Sequence, residues 1–380
     1  MRVMVVTAPL PEHTYPLVPL AWELRVAGHE VLLATAGEAV RVADSGLPVA
    51  DVARHFDLGR ATRRMALRNP MLARAERAGR AGPRGIVTLF GEINDDMADG
   101  AVALADQWRP NLVVYGALAP VGALVAARAG APAVLCDYTL ADGQQLSFAA
   151  TGHLSYACGR HSVAALPNPA AVVRLAPASL VGERPGWPMR HVPYDGGLAT
   201  PSWLAQPPAR PRIAVVRSTP GDPDGTLMRA VVKAVRRADP PLAAEVVLVR
   251  PDLGEGGPPL PSNVRTVEWV PLGRLLPTCA AVVHHGGTAT VLAALLHGVP
   301  QLVVPDASER RRNAALVHAR GVGLVGSRRE VSPTLLRRLL GDERLAYAAA
   351  EVRTEMISAP HPSDIAARLL DLVGDQVQLA

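Results

Sequence analysis

The stretch VVHHGGTATVLAALLHGVPQLVVP, residues 282–305, sets a β-branched run, two histidines, two glycines and an apolar helical pattern before a second β-branched run. A chain that leaves a strand and enters a helix this quickly needs a tight turn. Gly286 and Gly287 supply one, because glycine tolerates positive φ and lets other atoms approach its backbone. The first N–H groups of the following helix, around Thr288 and Thr290, have no intrahelical partner and carry the positive end of the helix dipole. An anionic oxygen placed there gains those amides, and His284 or His285 can add a further hydrogen bond. The local reading is a diphosphate site; the competing one is strand-to-helix packing with no ligand. Residues 282–305 hold neither the P-loop pattern G-x-x-x-x-G-K-[ST] nor the dinucleotide pattern G-x-G-x-x-G, so nucleotide hydrolysis and nicotinamide chemistry lose support.

Working outward, the same alternation of strand and helix runs through most of the chain, the pattern of a parallel sheet covered on both faces. In the first half the strand runs are RVMVVT (residues 2–7), EVLLAT (30–35), NLVVYG (111–116) and PAVLCD (132–137), with helical patterns over 17–27, 92–108 and 119–129. Between residues 182 and 212 periodicity collapses under seven prolines, from Pro185 to Pro211, which reads as a stiffened linker. The alternation restarts with RIAVVRS (212–218), EVVLVR (245–250), VRTVEWV (264–270) and AAVVHH (280–285). The expected division is an acceptor-binding domain over residues 1–190, a linker over 191–211, a nucleotide-sugar domain over 212–355, and a terminal helix over 356–380 that packs back on the first domain. Two such halves imply a cleft, and open parallel sheets bind ligands at the carboxyl ends of their strands.

Composition narrows the alternatives. A chain of 380 residues, 49% hydrophobic, is too long for one ordinary core. No apolar run reaches the ~18 to 20 residues of a membrane span, and MRVMVVTAPL reads as a buried strand rather than a signal peptide, so the expected location is cytoplasmic. The net charge of +5 comes almost wholly from arginine, with Lys233 the single lysine. That bias, with 5 Trp, 6 Tyr and 3 Phe in the whole chain, argues against a nucleic-acid partner. The arginine-dense residues 54–84 read as solvated helix, with an anion-binding patch as the alternative. Cys136, Cys158 and Cys279 are too few and too widely spaced for a disulfide framework or a zinc site.

Residues 268–323, EWVPLGRLLPTCAAVVHHGGTATVLAALLHGVPQLVVPDASERRRNAALVHARGVG, resemble the donor-binding signature of GT-B glycosyltransferases of the natural-product group, actinobacterial enzymes that glycosylate antibiotics and aromatic polyketides. PEHTYPLVPLAWELRVAGHEV, residues 11–31, is similar to that family's first βα unit. The resemblance implies an α/β chain of the GT-B fold: two Rossmann-like, doubly wound parallel-sheet domains facing a cleft. It implies a nucleoside diphosphate sugar as donor, dTDP-linked for a deoxysugar, and a hydrophobic small-molecule acceptor, with neither a cofactor nor a metal. A homodimer and an activator protein, as some relatives need, are both compatible with it. By the same resemblance the nucleotide base lies against Trp269, Val270 and Leu272. His284 contacts the diphosphate, with His285 as the alternative, and backbone at Gly286, Gly287, Thr288 and Thr290 completes the cradle. Ser218 matches a second phosphate-side loop. Glu309 and Arg310 stand where the family carries an Asp-Gln pair that holds sugar hydroxyls. Glu309 keeps an acceptor there, while Arg310 puts a cation in place of a neutral amide, which fits a deoxygenated sugar.

Inverting transfer needs a base for the acceptor and positive groups for the departing diphosphate. His13, just after the first strand, is the leading base, since imidazole titrates near neutral pH. Family members often orient such a histidine with an aspartate at the place occupied here by Gly116. Asp137 is the alternative base or the orienter of His13, in surroundings similar to those of C-glycosyltransferases acting on aromatic polyketides, and Asp142 is a weaker candidate of the same kind. The missing carboxylate at Gly116 and the altered pair leave two further readings open: a silent helper of a partner glycosyltransferase, and a nucleotide-sugar epimerase.

Overall fold

The computed structural model describes residues 1–196, 199–217, 225–253 and 259–379. The chain divides into two compact units, one of Met1–Ala178, Glu183–Gly197 and Ser358–Ala380, the other of Ser179–Gly182 and Leu198–Ile357.

The first unit is built on a sheet of seven strands: β1 (Arg2–Val6), β2 (Glu30–Thr35), β3 (Val49–Asp51), β4 (Leu112–Gly116), β5 (Ala133–Asp137), β6 (Ala171–Arg174) and β7 (Trp187–Pro188). All pairings are parallel, in the order β3-β2-β1-β4-β5-β6-β7. β4 and β5 are buried along their whole length, which is why their sequences are continuous apolar runs rather than alternating ones. Period-two alternation decides which face each residue serves. Met4, Val6, Val113, Tyr115 and Leu135 join the core under the helices Pro83–Trp108 and Val121–Ala129, while Val3, Val5, Val114, Val134 and Cys136 join the core under the helix Val18–Val26. That second core also receives Ile365, Ala366, Leu369 and Val373, one stripe of the helix Pro362–Leu379. The helix read from residue 92 begins a good two turns earlier, with Pro83 at its N-terminal turn, where a missing N–H costs nothing.

Among the described residues the second unit carries six strands, β8 (Arg212–Val216), β9 (Glu245–Val249), β10 (Val264–Val267), β11 (Ala281–His284), β12 (Gln301–Val303) and β13 (Gly323–Val325). They too are all parallel, ordered β10-β9-β8-β11-β12-β13. In each sheet the strand order reverses once, between β1 and β4 in the first and between β8 and β11 in the second. The loops leaving those strands splay apart and expose backbone, so this is where a doubly wound sheet binds ligands. His13 follows β1 and the glycine pair follows β11. Residues 191–211 hold one short helical turn, Ser202–Ala205, among the described residues. Among the described residues no helix is long and apolar enough to cross a membrane.

Candidate active site

In the first unit, the loop after β1 is fixed by buried hydroxyls. Thr7 and Thr14 share a hydrogen bond of 2.8 Å between their Oγ1 atoms, and Thr35 Oγ1 on β2 donates to the Ala8 carbonyl at 3.3 Å. This braces the single helical turn Pro11–Thr14, which carries His13 half-buried. The imidazole stands edge-on to Phe90 with centroids 5.1 Å apart and tilted to Tyr138 at 5.7 Å. Phe90 is held through its own backbone: Asn94, one turn along, donates Nδ2 to the Phe90 carbonyl (2.7 Å) and to the Leu118 carbonyl (2.9 Å) and accepts from the Val121 amide (3.1 Å). A buried amide with both ends satisfied locks the helix Pro83–Trp108 to the loop after β4.

That geometry accounts for Gly116. A Cβ added there would stand 3.0 Å from Tyr138 Cε1 and 3.5 Å from its hydroxyl, so the tyrosine ring fills the space a side chain at 116 would use. Tyr138 is 3% exposed, and burial holds its phenol well above the ordinary value. Where relatives are read to orient the histidine with a carboxylate, this chain presents an aromatic wall.

Asp137 points into its own loop. Oδ1 accepts from the Thr139 amide at 2.9 Å and the Thr139 hydroxyl at 2.7 Å, and Oδ2 accepts from the Gly143 amide at 3.0 Å. Burial pushes the carboxyl above the usual range, against the pull of those bonds. Both oxygens are engaged in shaping the turn that presents Tyr138. Asp142 caps the helix Gly143–Thr151 by accepting from the Gln145 amide at 3.0 Å, which is the helix-capping role and not an acid–base one. Residues 54–84 form the helices Leu58–Arg68 and Pro70–Arg77, and Arg64 pairs with Glu92 and Asp96.

In the second unit β11 ends on His284, fully buried. Its Nδ1 accepts the Gly286 amide at 3.0 Å, which puts the ring proton on Nε2, and Nε2 then donates to Gln301 Oε1 on β12 at 2.9 Å. Burial lowers its pKa to about 4. Both nitrogens are thus engaged beneath the turn, and the expected contact of His284 with a diphosphate does not fit this arrangement. The ring that faces the glycines is His285. A Cβ added at Gly287 would stand 2.7 Å from His285 Nε2, and the ring also meets the Val216 backbone at the end of β8. Burial first, then the charge of Arg310 and the ring of His284, lower the His285 pKa to about 2.

Gly286 adopts φ +92°, and a Cβ there would meet Val303 Cγ1 at 2.8 Å and the Arg310 carbonyl at 3.0 Å. Its positive φ and its tight neighbours both require glycine. The helix Thr288–Leu296 starts with no side-chain cap, leaving its first amides to other partners. The helix Ser308–Ala319 abuts the same turn: Asn313 Nδ2 donates to the Gly286 carbonyl (2.9 Å) and Thr288 Oγ1 (3.2 Å), and the Thr288 hydroxyl donates to Glu309 Oε1 (3.1 Å). Arg310 is clamped by Asp306 at 2.6 Å. Thr290 is buried behind the first turn.

At the carboxyl ends of β8, β9 and β10 lies a pocket of about 490 Å³ lined by Arg217, Arg250, Pro251, Thr266, Val267 and Glu268. Trp269 adjoins it in sequence, 44% exposed, with the Arg250 guanidinium 5.4 Å over its ring. Of the expected base-binding stretch only Trp269 offers a face: Val270 is 2% exposed in the core and Leu272 packs against that core. Ser218 lies outside the described residues. Among the described residues no group of three or more His, Cys, Asp or Glu side chains is placed to hold a metal ion.

Several functional neighbours escape a reading of the sequence. Tyr138 reaches Gly116 through the lateral pairing of β4 with β5, in which Gly116 lies opposite Cys136. Asn94 did carry a signal, a polar residue on the stripe Phe90, Ile93, Met97 and Ala101 that faces the core. Asp306 and Asn313 flank the altered pair and had no motif of their own.

Comparison with known proteins agrees with this geometry. Residues 22–218 match the N-terminal domain of the erythromycin biosynthesis protein CIII-like family, and residues 234–372 match its C-terminal domain. The elloramycin glycosyltransferase ElmGT of Streptomyces olivaceus is 35% identical over 378 residues, 97% of each chain. The crystal structure of the glycosyltransferase SnogD from Streptomyces nogalater superposes with a TM-score of 0.83 at 35% identity, covering 98% of this chain and 99% of that one. The glycosyltransferase SsfS6 of Streptomyces sp. SF2575, complexed with thymidine diphosphate, gives 0.80 at 30% identity, with coverage of 98% and 99%. Two doubly wound parallel sheets, a glycine turn where the second sheet reverses its order, and a histidine where the first does the same thus lead to one conclusion: this chain belongs to the erythromycin biosynthesis protein CIII-like family and is a glycosyltransferase of the GT-B fold.

Proposed function

We propose that this glycosyltransferase moves a deoxysugar from a nucleoside diphosphate, dTDP by preference, to a natural-product aglycone such as an aromatic polyketide, by inverting displacement without a metal, forming an O- or C-link. The observation that carries the reading is the turn at Gly286 and Gly287, where uncapped helix amides and the His285 ring converge beside the backbone of Arg310. Such a cradle supplies from the chain the positive field that a divalent cation would otherwise bring. The thymidine diphosphate complex of SsfS6 and the elloramycin transferase activity named for ElmGT support the donor and acceptor classes.

His13 takes the acceptor proton. The freed oxygen, or the carbon beside a phenol, attacks the anomeric carbon, and the bond from that carbon to the diphosphate breaks with its electron pair leaving on dTDP. The proton on His13 then passes to solvent; for a carbon link the attacked ring carbon also loses its hydrogen as a proton while the phenol oxygen regains one, which restores the aromatic ring, so each step balances without any other reactant. Asp137 shapes the Tyr138 turn. The helper reading rests on the missing carboxylate at Gly116, where the Tyr138 ring takes up the space, and on the altered pair at Glu309 and Arg310; His13 stands against it.

The test is a mass-spectrometric screen of dTDP-deoxysugars against phenolic polycyclic aglycones, with and without EDTA, followed by NMR at the anomeric centre and acid hydrolysis. Transfer that survives EDTA with inverted configuration is expected, and acid resistance of the product marks a carbon link. Retained configuration, or loss of transfer in EDTA, would overturn the corresponding half of the reading.

A further inference from the structure

The donor cradle has a charge deficit. A departing diphosphate gains negative charge as its bond to the sugar breaks, yet both imidazoles at the turn are held neutral by burial, at about 4 for His284 and about 2 for His285. Helix amides contribute only partial charges. A full cation has to come from another residue.

We infer that Arg310 contacts the diphosphate of the donor, so that the position expected to read sugar hydroxyls instead reads phosphate charge. The inference rests on the donor reading above and deepens it. Three observations support it. First, the backbone of Arg310 is part of the turn itself: a Cβ added at Gly286 would lie 3.0 Å from the Arg310 carbonyl and 3.5 Å from its Cβ. Second, the guanidinium is held in place, with NH1 on Asp306 Oδ1 at 2.6 Å and only 14% of either side chain exposed, while Arg328 approaches the other Asp306 oxygen at 3.9 Å. The group Arg310, Arg311, Arg312 and Arg328 against Asp306 and Glu309 keeps a positive balance at the start of this helix. Third, the charge of Arg310 is felt at the His285 ring, which faces the glycine turn. Guanidinium pairs with phosphate oxygens through parallel N–H bonds, a geometry the amide of glutamine does not offer. Glu309, already accepting from Thr288, keeps an acceptor for a sugar hydroxyl. The consequence for specificity is a donor site that counts phosphates strictly and tolerates sugars lacking a hydroxyl at the place the amide would have served.

The experiment is calorimetric binding of dTDP, dTMP and thymidine to the full-length protein, its Arg310→Gln and Arg310→Lys variants, and Asp306→Asn. Arg310→Gln is expected to weaken dTDP about 10- to 100-fold, the range for one charge-assisted hydrogen-bond site, with thymidine binding unchanged as the check on folding. Arg310→Lys recovers part of the loss, and Asp306→Asn, which removes one carboxylate charge and keeps the guanidinium, costs less than Arg310→Gln. Binding of dTDP to Arg310→Gln at wild-type affinity would overturn the inference while leaving the donor reading intact. A parent protein that binds dTDP no better than thymidine would instead overturn the donor reading, and this inference with it.

Discussion

The helix N-termini that follow β5 and β11 are treated in opposite ways. After β5, the helix Gly143–Thr151 begins among the chain's own carboxylates: Asp137 accepts from the Gly143 amide and Asp142 from the Gln145 amide. After β11, the helix Thr288–Leu296 begins at Gly287 with no side-chain cap. The first terminus has its anions built in; the second has no side-chain cap, and in the proposed function its amides take the donor's diphosphate. The difference separates two tasks. In the function proposed above, the unit carrying His13 sets the base against the Phe90 and Tyr138 rings. The unit carrying the glycine turn fixes its dipoles before any charge develops, the arrangement in which electrostatic stabilisation is strongest.

The largest expected effect breaks that division of labour from the base side. His13→Ala should lower kcat by about 10²- to 10⁴-fold, the usual contribution of a positioned general base, and leave dTDP affinity within about twofold. Steady-state kinetics with dTDP as a competitive inhibitor separate the two. A parallel fall in dTDP affinity would mean that His13 serves the donor and that the two tasks are not divided as argued.

The second effect sharpens the comparison from the donor side. The folded chain holds His284 at about 4 against 6.5 for an ordinary histidine, so below pH 6.5 the unfolded chain takes up a proton the folded one refuses. Stability from this group is complete above about pH 6.5 and is lost as pH falls toward 4, by about 3 kcal/mol at the end of that window. Melting of the protein and of His284→Gln across pH 7.5 to 4.5 isolates the group, because every other titration is common to both. The variant should start less stable and lose less on acidification; identical slopes would show that the ring is not held neutral beneath the turn.

The contrast also explains how far the sequence could be read. β1, β4, β5 and β11 are continuous apolar runs because helices cover both faces of each sheet, and continuous runs between turn residues are legible. Gly286 was legible for the same kind of reason, since a strand that becomes a helix within three residues calls for a tight turn at glycine and the structure gives φ +92°. What was not legible is set by lateral pairing. Both His284 and His285 are buried, but only the partner strand, which brings Gln301 to the His284 ring, decides that His284 is tied beneath the turn while His285 faces the glycines. Tyr138 and Gly116 likewise meet through a strand register, and no local pattern in either segment encodes that meeting.

The smallest expected effect tests the closed terminus. Asp142 accepts from the Gln145 amide at 3.0 Å and from Gln145 Nε2 at 2.8 Å, both on its own helix. Removing the side chain in Asp142→Ala should therefore cost about 1 kcal/mol of stability, the usual worth of an N-cap, and change kcat by less than about threefold. Asp137 still holds the Gly143 amide in that variant, so the terminus stays occupied and should not acquire affinity for sulfate or dTDP. Thermal melting, kinetics and anion binding on the one variant read all three quantities. A loss of a hundredfold in kcat with normal melting would move Asp142 from the scaffold into the chemistry, and a gain of anion binding would show that the second carboxylate alone does not close the helix.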